Sequence, residues 1–326
     1  MMKKKILILG ISSFAGYTFA KYLIKKNFNI VGTFNSNQKI FSDMRNSKNL
    51  KLYKINLEKN FNGLFIIAKK ENPNYIIDFS SICMVNESWI NPEKYFKINC
   101  LSKIKLINNI EKIRNVKKFV YISTPEVFGE SKKNLSEDHK LFSPSTPYAS
   151  TKLFTENLIR NYQFSKSKKF IIARFSNFYG PNQPLHRLIP KLIISIKKNK
   201  KFIIDGKGLS KRNFIYSDDF CSGINLILNR GATGRTYHFS SKNLYTVRKI
   251  VEKVCASMNI DYKKFVKFGK DRIGKDSVYK LDCRRTKKEL NWETKISIDK
   301  GIRKIIKHIE ENYSYFIKEK TYFRFK

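Results

Sequence analysis

Short runs of β-branched and aliphatic residues alternate with longer segments whose apolar positions recur at helical spacing through the first half of the chain. Residues 5–9 form the first run, too short for a helix. A turn follows at 10–16, and residues 14–26 carry apolar side chains at helical spacing. The pattern predicts further strands over 28–33, 51–55, 75–79, 118–123 and 169–175, with helices over 92–113 and 148–162 between them. Strands alternating with helices predict an α/β fold with a parallel, doubly wound sheet. Beyond about residue 180 the alternation breaks into Pro- and Gly-punctuated segments. That predicts a smaller C-terminal lobe over the C-terminal ends of the strands, where such sheets bind ligands. Neither an internal repeat nor a low-complexity linker is present.

Composition narrows the class. The 326 residues are 41% hydrophobic, enough to bury a core. Lys and Arg number 66 against 26 Asp and Glu, a formal charge of +40. The basic residues are spread along the chain, and the densest cluster, residues 197–201, is short. Ile, Asn, Phe and Tyr are also abundant, so the charge reads as A/T-rich codon usage plus a mildly cationic ligand site, with a polyanionic partner as the open alternative. No nucleic acid is expected. No apolar run reaches the roughly 18 residues that span a bilayer. The basic residues before Ile6 superficially resemble a signal peptide, but the apolar stretch behind them is short and ends in a Gly and polar turn. A soluble, cytoplasmic protein is expected. The five cysteines are scattered without a C-x-x-C pair, which argues against a disulfide framework or a zinc site.

Three segments could carry chemistry. Gly10-Ile-Ser-Ser13-Phe-Ala-Gly16 follows the first strand and opens a helix, where backbone N–H groups and the helix dipole favour a pyrophosphate. Ser13 at the middle position crowds that approach, and a plain strand-to-helix turn is the alternative. At the end of the second strand, Gly32-Thr33-Phe34-Asn35-Ser36 offers no carboxylate for ribose hydroxyls. A 2′-phosphate is therefore not repelled, and the site is open to NAD or NADP. Tyr148 and Lys152, four apart on a helix, share a face, and an ammonium beside a phenol favours the phenolate. The same spacing recurs from Tyr17, Tyr22, Tyr162, Tyr245 and Tyr322, so spacing alone is uninformative. Tyr148 is singled out by Ser145-Thr-Pro147 before it and by the strand end Ser123-Thr124-Pro125-Glu126, which lies at the ligand crevice. Thr124 as a simple turn cap with a solvated Glu126 is the bland reading.

Together these residues resemble the extended short-chain dehydrogenase/reductase family over nearly the whole chain. The likeness is to the NAD-dependent epimerase/dehydratase branch, and within it to dTDP-glucose 4,6-dehydratases. The C-terminal half adds residues 173–181 around Asn177, then His186-Arg187-Leu188-Ile189-Pro190, then 205–219 with Arg212, and finally Asp271-Arg272-Ile-Gly-Lys275-Asp276. The resemblance implies a Rossmann-type domain over 1–178 that binds NAD(P). It also implies a mainly substrate-binding lobe over 179–326, with about 213–240 returning to the first domain.

For the site, the resemblance implies that Tyr148 removes the proton of a sugar 4-hydroxyl, Thr124 bonds that oxygen and Lys152 tunes Tyr148. Glu126 would remove the C5 proton before water leaves C6. The cofactor, recycled within the reaction, would be held by Gly10, Ser12, Ser13, Phe14, Ala15, Gly16, Asn35, Ser36, Asn56 and Leu57. Phe79, Ser80, Ser81, Asn99, Ser123, Tyr148, Lys152 and Phe175 would complete that site. A nucleotide-diphosphate sugar would be held by Met84, Asn177, Arg187, Leu188, Arg212, His238, Arg272 and Lys275, the arginines clamping a dianion. A homodimer through the helices at 92–113 and 148–162 is also implied.

Two departures bear on the reaction. Pro125 stands where dTDP-glucose dehydratases have an Asp that protonates the leaving hydroxyl, so Glu126 would serve as both base and acid. Met84, Asn86 and Glu87 replace the family's His, Asp and Arg in the segment after residue 79. The expected function is a nucleotide-sugar 4,6-dehydratase, with a 4-epimerase or uronate decarboxylase of the same family as the alternative. A non-catalytic dinucleotide-binding scaffold is a remote third. Residues 302–317 predict an amphipathic helix, followed by a basic, aromatic tail that could touch a membrane surface or simply fray from the second lobe.

Overall fold

A computed structural model describes residues 4–35, 44, 47–271, 276–319 and 321–322. Seven parallel strands form the central sheet: β1 (Lys5–Leu9), β2 (Asn29–Phe34), β3 (Leu50–Lys54), β4 (Tyr75–Asp78), β5 (Lys118–Ser123), β6 (Phe170–Phe175) and β7 (Thr236–Phe239). Their order across the sheet is β7-β6-β5-β4-β1-β2-β3. Helices cover both faces, so the central strands are apolar on both sides rather than alternating. In β1, Ile6 and Ile8 enter one core with Phe19, Leu23, Phe220 and Ile224, while Leu7 and Leu9 enter the opposite core with Ile107 and Phe119.

The chain order reverses between β1 and β4, and the crevice for a ligand opens at that switch point. Strands 28–33 and 51–55 are realised one residue displaced, as β2 and β3. In the first case Asn27, at φ 60°, turns the chain out of the preceding helix and delays the strand. The chain returns to the sheet after residue 216: helix Ser217–Arg230 lays Phe220, Ile224 and Ile227 into the first core, and β7 pairs with β6.

The second lobe has its own core, in which Leu192 and Ile193 meet Ile250, Val254, Ile302 and Ile305. Its C-terminal helix runs Ile298–Glu311, capped by Ser297, and a short helix Tyr313–Phe316 follows. Ile302, Ile305, Ile306 and Ile309 are buried in this lobe, so the amphipathic face is used for packing. Most of the basic tail lies outside the described residues.

The helix expected over 92–113 is broken into Pro92–Phe96, a π-turn Lys97–Leu101, Ser102–Asn108 and a 3-10 turn Ile110–Lys112. The widened π-turn buries Asn99 and Cys100 against the helix that carries Tyr148. Among the described residues no helix is long and apolar enough to cross a membrane, and none form a cluster able to hold a metal ion. The five cysteines are free thiols.

Candidate active site

Gly10 leaves β1 at φ +74°, and a Cβ there would lie 2.7 Å from Ser80 Cα. Only glycine allows the β1 turn to seat against the chain leaving β4. Helix Phe14–Lys25 starts directly beyond, so its N-terminus lies beside the switch point. Ser13 does not merely crowd this approach. Its hydroxyl caps the helix by accepting from Gly16 N at 3.0 Å. Ser12, Ala15 and Phe14 complete the turn, with Phe14 stacked on Phe178 at 4.3 Å between ring centres. Thr33 Oγ1 holds the Gly10 amide at 3.1 Å from the end of β2. Asn35, exposed, follows β2, and Asn56 and Leu57 follow β3. Phe79, Ser80 and Ser81 leave β4, and Phe175 ends β6 stacked on Phe239. Ser36 lies outside the described residues. This cradle fits a dinucleotide: a glycine turn, a helix N-terminus and no acid at the described end of β2.

The second element sits at the end of β5. Thr124 accepts from Glu126 N at 3.3 Å and so caps a 3-10 turn, Pro125–Phe128, that places Pro125 at its first position. Proline suits that position because its missing N–H would have no partner there. Ser123 is buried at the strand end. Glu126 is only partly exposed, and burial pushes its carboxyl up to about 7, with Arg212 and Arg187 pulling it back and Asp276 pushing it further.

Helix Pro147–Ser165, capped by Thr146, presents Tyr148 and Lys152 along one buried face. Lys152 Nζ donates to Ile122 O at 2.7 Å and to Ser81 Oγ at 3.1 Å, and lies 4.2 Å from the centre of the Tyr121 ring. Burial draws Lys152 down to about 8, while burial and the nearby Glu126 and Cys83 push the Tyr148 phenol well above its ordinary value. The pair does not by itself make a phenolate; a further positive charge at the phenol is required.

On the open side, Arg187 donates to Cys83 Sγ at 3.0 Å, next to Met84. Arg212 lies over the Tyr279 ring at 4.5 Å and donates to the Asp276 carbonyl at 2.7 Å. Tyr279 reaches Asn177 Oδ1 at 3.5 Å, and Leu188 opens the helix that follows Arg187. Arg272 and Lys275 lie outside the described residues.

Two assignments are corrected. His238 is fully buried in β7, bonded to Arg174 Nη1 at 2.9 Å and near Asp282 O, so it has no surface to offer a substrate. Asn99 is also fully buried. Its amide bonds Ile82 O, Ile82 N and Thr151 Oγ1, so it holds the loop after β4 rather than facing a cofactor. Cys83, Asp276 and Tyr279 were not singled out by sequence; Asp276 and Tyr279 fall in and just after the Arg272 segment, which was the available signal.

A glycine turn at the switch point of a doubly wound sheet, with Tyr148 and Lys152 on a helix packed against the other face of that sheet, defines an enzyme of the extended short-chain dehydrogenase/reductase class. The chain belongs to the family described as GDP-mannose 4,6 dehydratase, whose model matches residues 7–305, and so to the epimerase/dehydratase branch of that class. A dTDP-D-glucose 4,6-dehydratase of Dictyostelium discoideum is 29% identical over 364 residues, covering 96% of this chain and 83% of the relative. Among solved structures, dTDP-glucose 4,6-dehydratase from Bacillus anthracis in complex with NAD superposes with a TM-score of 0.86 at 24% identity, covering 96% of this chain and 98% of that one. UDP-glucuronic acid 4-epimerase from Bacillus cereus, in complex with UDP-glucuronic acid and NAD, gives 0.85 at 22% identity, covering 95% and 100%.

Proposed function

We propose that the protein is an NAD(P)-dependent nucleotide-diphosphate-hexose 4,6-dehydratase acting in the cytoplasm. The observation that carries the reading is Glu126, held on the Thr124-capped turn with its carboxyl raised to about 7 beside Tyr148. When bound, the oxidised dinucleotide supplies the hydride acceptor, the later hydride donor and the positive charge that the phenol of Tyr148 requires. Gly10, Ser12, Ser13, Phe14, Ala15 and Gly16 would hold its pyrophosphate, and Ser81 and Lys152 its nicotinamide end.

Tyr148 takes the proton of the sugar 4-hydroxyl, and Thr124 bonds that oxygen. The ketone formed at C4 acidifies the C5 proton, which Glu126 removes. The same carboxyl then returns a proton to the C6 hydroxyl, which departs as water, and the C5–C6 double bond left behind would be saturated by the returning hydride at C6 and a proton from solvent at C5. A group poised near neutrality serves both steps, so the turn works with Pro125 in place of a second acid. Arg187 and Arg212, with Arg272, supply the cations for the diphosphate. The five free thiols, Cys83 among them exposed, support a reducing compartment.

The test is Glu126→Gln with a panel of UDP-, dTDP-, GDP- and CDP-hexoses, reading product mass. A dehydratase gives loss of water from one hexose in the wild type, and the variant loses that activity by about 10²-fold or more. Retained turnover in the variant, with unchanged product mass, would move the protein to the 4-epimerases.

A homodimer is part of the proposal. Helix Pro147–Ser165 packs on segment 85–101, and this face exposes Trp89, Ile90, Phe96, Leu101 and Phe154. Large apolar side chains exposed together on packed helices support an interface there.

A further inference from the structure

Lys103 is 1% exposed beneath the crevice, on helix Ser102–Asn108. Its ammonium donates to Ser80 O at 2.7 Å and Ser80 Oγ at 2.8 Å, and lies 3.3 Å from Asp78 Oδ2. Asp78, fully buried at the end of β4, in turn accepts from Ser80 N at 2.8 Å and Ser80 Oγ at 2.5 Å. Ser80 is the residue against which the Gly10 turn is seated, and its neighbour Ser81 accepts from Lys152. A buried ammonium is expensive to desolvate, and a leucine would fill the space without that cost. The charge is therefore informative.

We propose that Lys103 is a positioning residue, fixing the Ser80–Ser81 step between the dinucleotide turn and Lys152 and partly offsetting the pull of Asp78 on Lys152. This rests on the dinucleotide part of the function proposed above, not on the sugar chemistry. The groups that act on Lys152 come from every side: Asp78 from β4, Lys103 from helix Ser102–Asn108, Glu156 from its own helix, Cys83 from the loop after β4, Cys100 from the π-turn and the Tyr121 ring from β5. Asp78 and Glu156 favour the charged lysine, and Lys103 opposes it. Removing Lys103 therefore leaves Lys152 protonated to higher pH, and removing the charge of Asp78 does the opposite.

The experiment is calorimetric titration of the full-length protein with NAD, and in parallel with NADP, from pH 6.5 to 9.5. Wild type, Lys103→Met, Asp78→Asn and the double variant are compared. Affinity should break near the pH where Lys152 loses its proton. Lys103→Met should move that break upward by about one pH unit, Asp78→Asn should move it downward, and the double variant should fall between them. Should Lys103→Met fail to fold around an orphaned carboxylate, Asp78→Asn against the double variant reads the same lysine. A uniform loss of affinity with no shift of the break would show a purely structural role and overturn the assignment to Lys103 alone. Wild-type protein that binds neither dinucleotide would overturn the cofactor reading and this inference with it.

Discussion

Glu156 and Arg174 form a fully buried ion pair behind the helix that carries Tyr148, with Nε to Oε1 at 2.9 Å and Nη2 to Oε2 at 2.5 Å. Glu156 stands four residues beyond Lys152 on the same face, so the pair ties helix Pro147–Ser165 to β6. Arg174 is further enclosed by the ring of Phe128, 4.5 Å away, and by neutral His238. Removing one partner strands the other charge. Glu156→Gln should destabilise the fold by about 3–5 kcal/mol in chemical denaturation. A loss within the scatter of surface substitutions would show that the pair does not hold the helix.

The same carboxylate governs acid stability. Burial pushes Glu156 up, but Arg174 and Arg160 outweigh it and hold the carboxyl at about 2. Its folded value lies below the ordinary 4.5, so its contribution is complete above that pH and is lost as pH falls towards 2. Denaturation midpoints measured at intervals below pH 5 should fall in wild type, and should fall less steeply in Glu156→Gln.

Activity should follow a narrow bell. On the proposed mechanism Glu126 takes the C5 proton only when ionised, which sets the acid limb near 7, and Lys152 acts only when charged, which sets the alkaline limb near 8. Because the two groups share one site, these limbs are properties of the assembly. A broad plateau from pH 6 to 10 in kcat/KM would contradict the assignment of either residue.

Gly10→Ala should damage the cradle rather than the sheet. The new Cβ meets Ser80 Cα at 2.7 Å, and an L-residue at φ +74° carries a further strain of roughly 1–2 kcal/mol. Dinucleotide affinity should fall by at least about tenfold, read by calorimetry. Unchanged affinity would mean that the turn does not contact the ligand.

Light scattering should return twice the chain mass, and Phe154→Asp, at an exposed position of helix Pro147–Ser165, should shift the population to monomer. A wild type that runs as a monomer would refute the interface.

The sheet was legible in sequence because strands buried on both faces must be continuous apolar runs, as Ile-Leu-Ile-Leu in β1 and Tyr-Ile-Ile in β4 are. The residues proposed for the chemistry, Thr124, Glu126, Tyr148 and Lys152, stood out because they cluster at strand and helix ends. Less visible was anything defined by depth. His238 and Asn99 are polar side chains of ordinary frequency, and nothing local reveals that both are fully enclosed. Lys103 is one of many lysines, and its partners Asp78 and Ser80 lie on a different element. The break of the 92–113 helix was hidden because a π-turn leaves apolar spacing nearly unchanged on either side.

The seat of Gly10 against Ser80 has a consequence for how the molecule is made. That floor exists only after β1 and β4 have paired in parallel, across helices Phe14–Lys25 and Gly63–Glu71 and the strands β2 and β3. Parallel pairing over such a separation is slow, because loop closure must precede any contact that rewards it. The nucleotide pocket is therefore a late product of folding, and a chain truncated before residue 75 has no pocket to nucleate around. Ligand present during refolding should leave the initial rate unaltered and act chiefly by slowing unfolding once the sheet is complete.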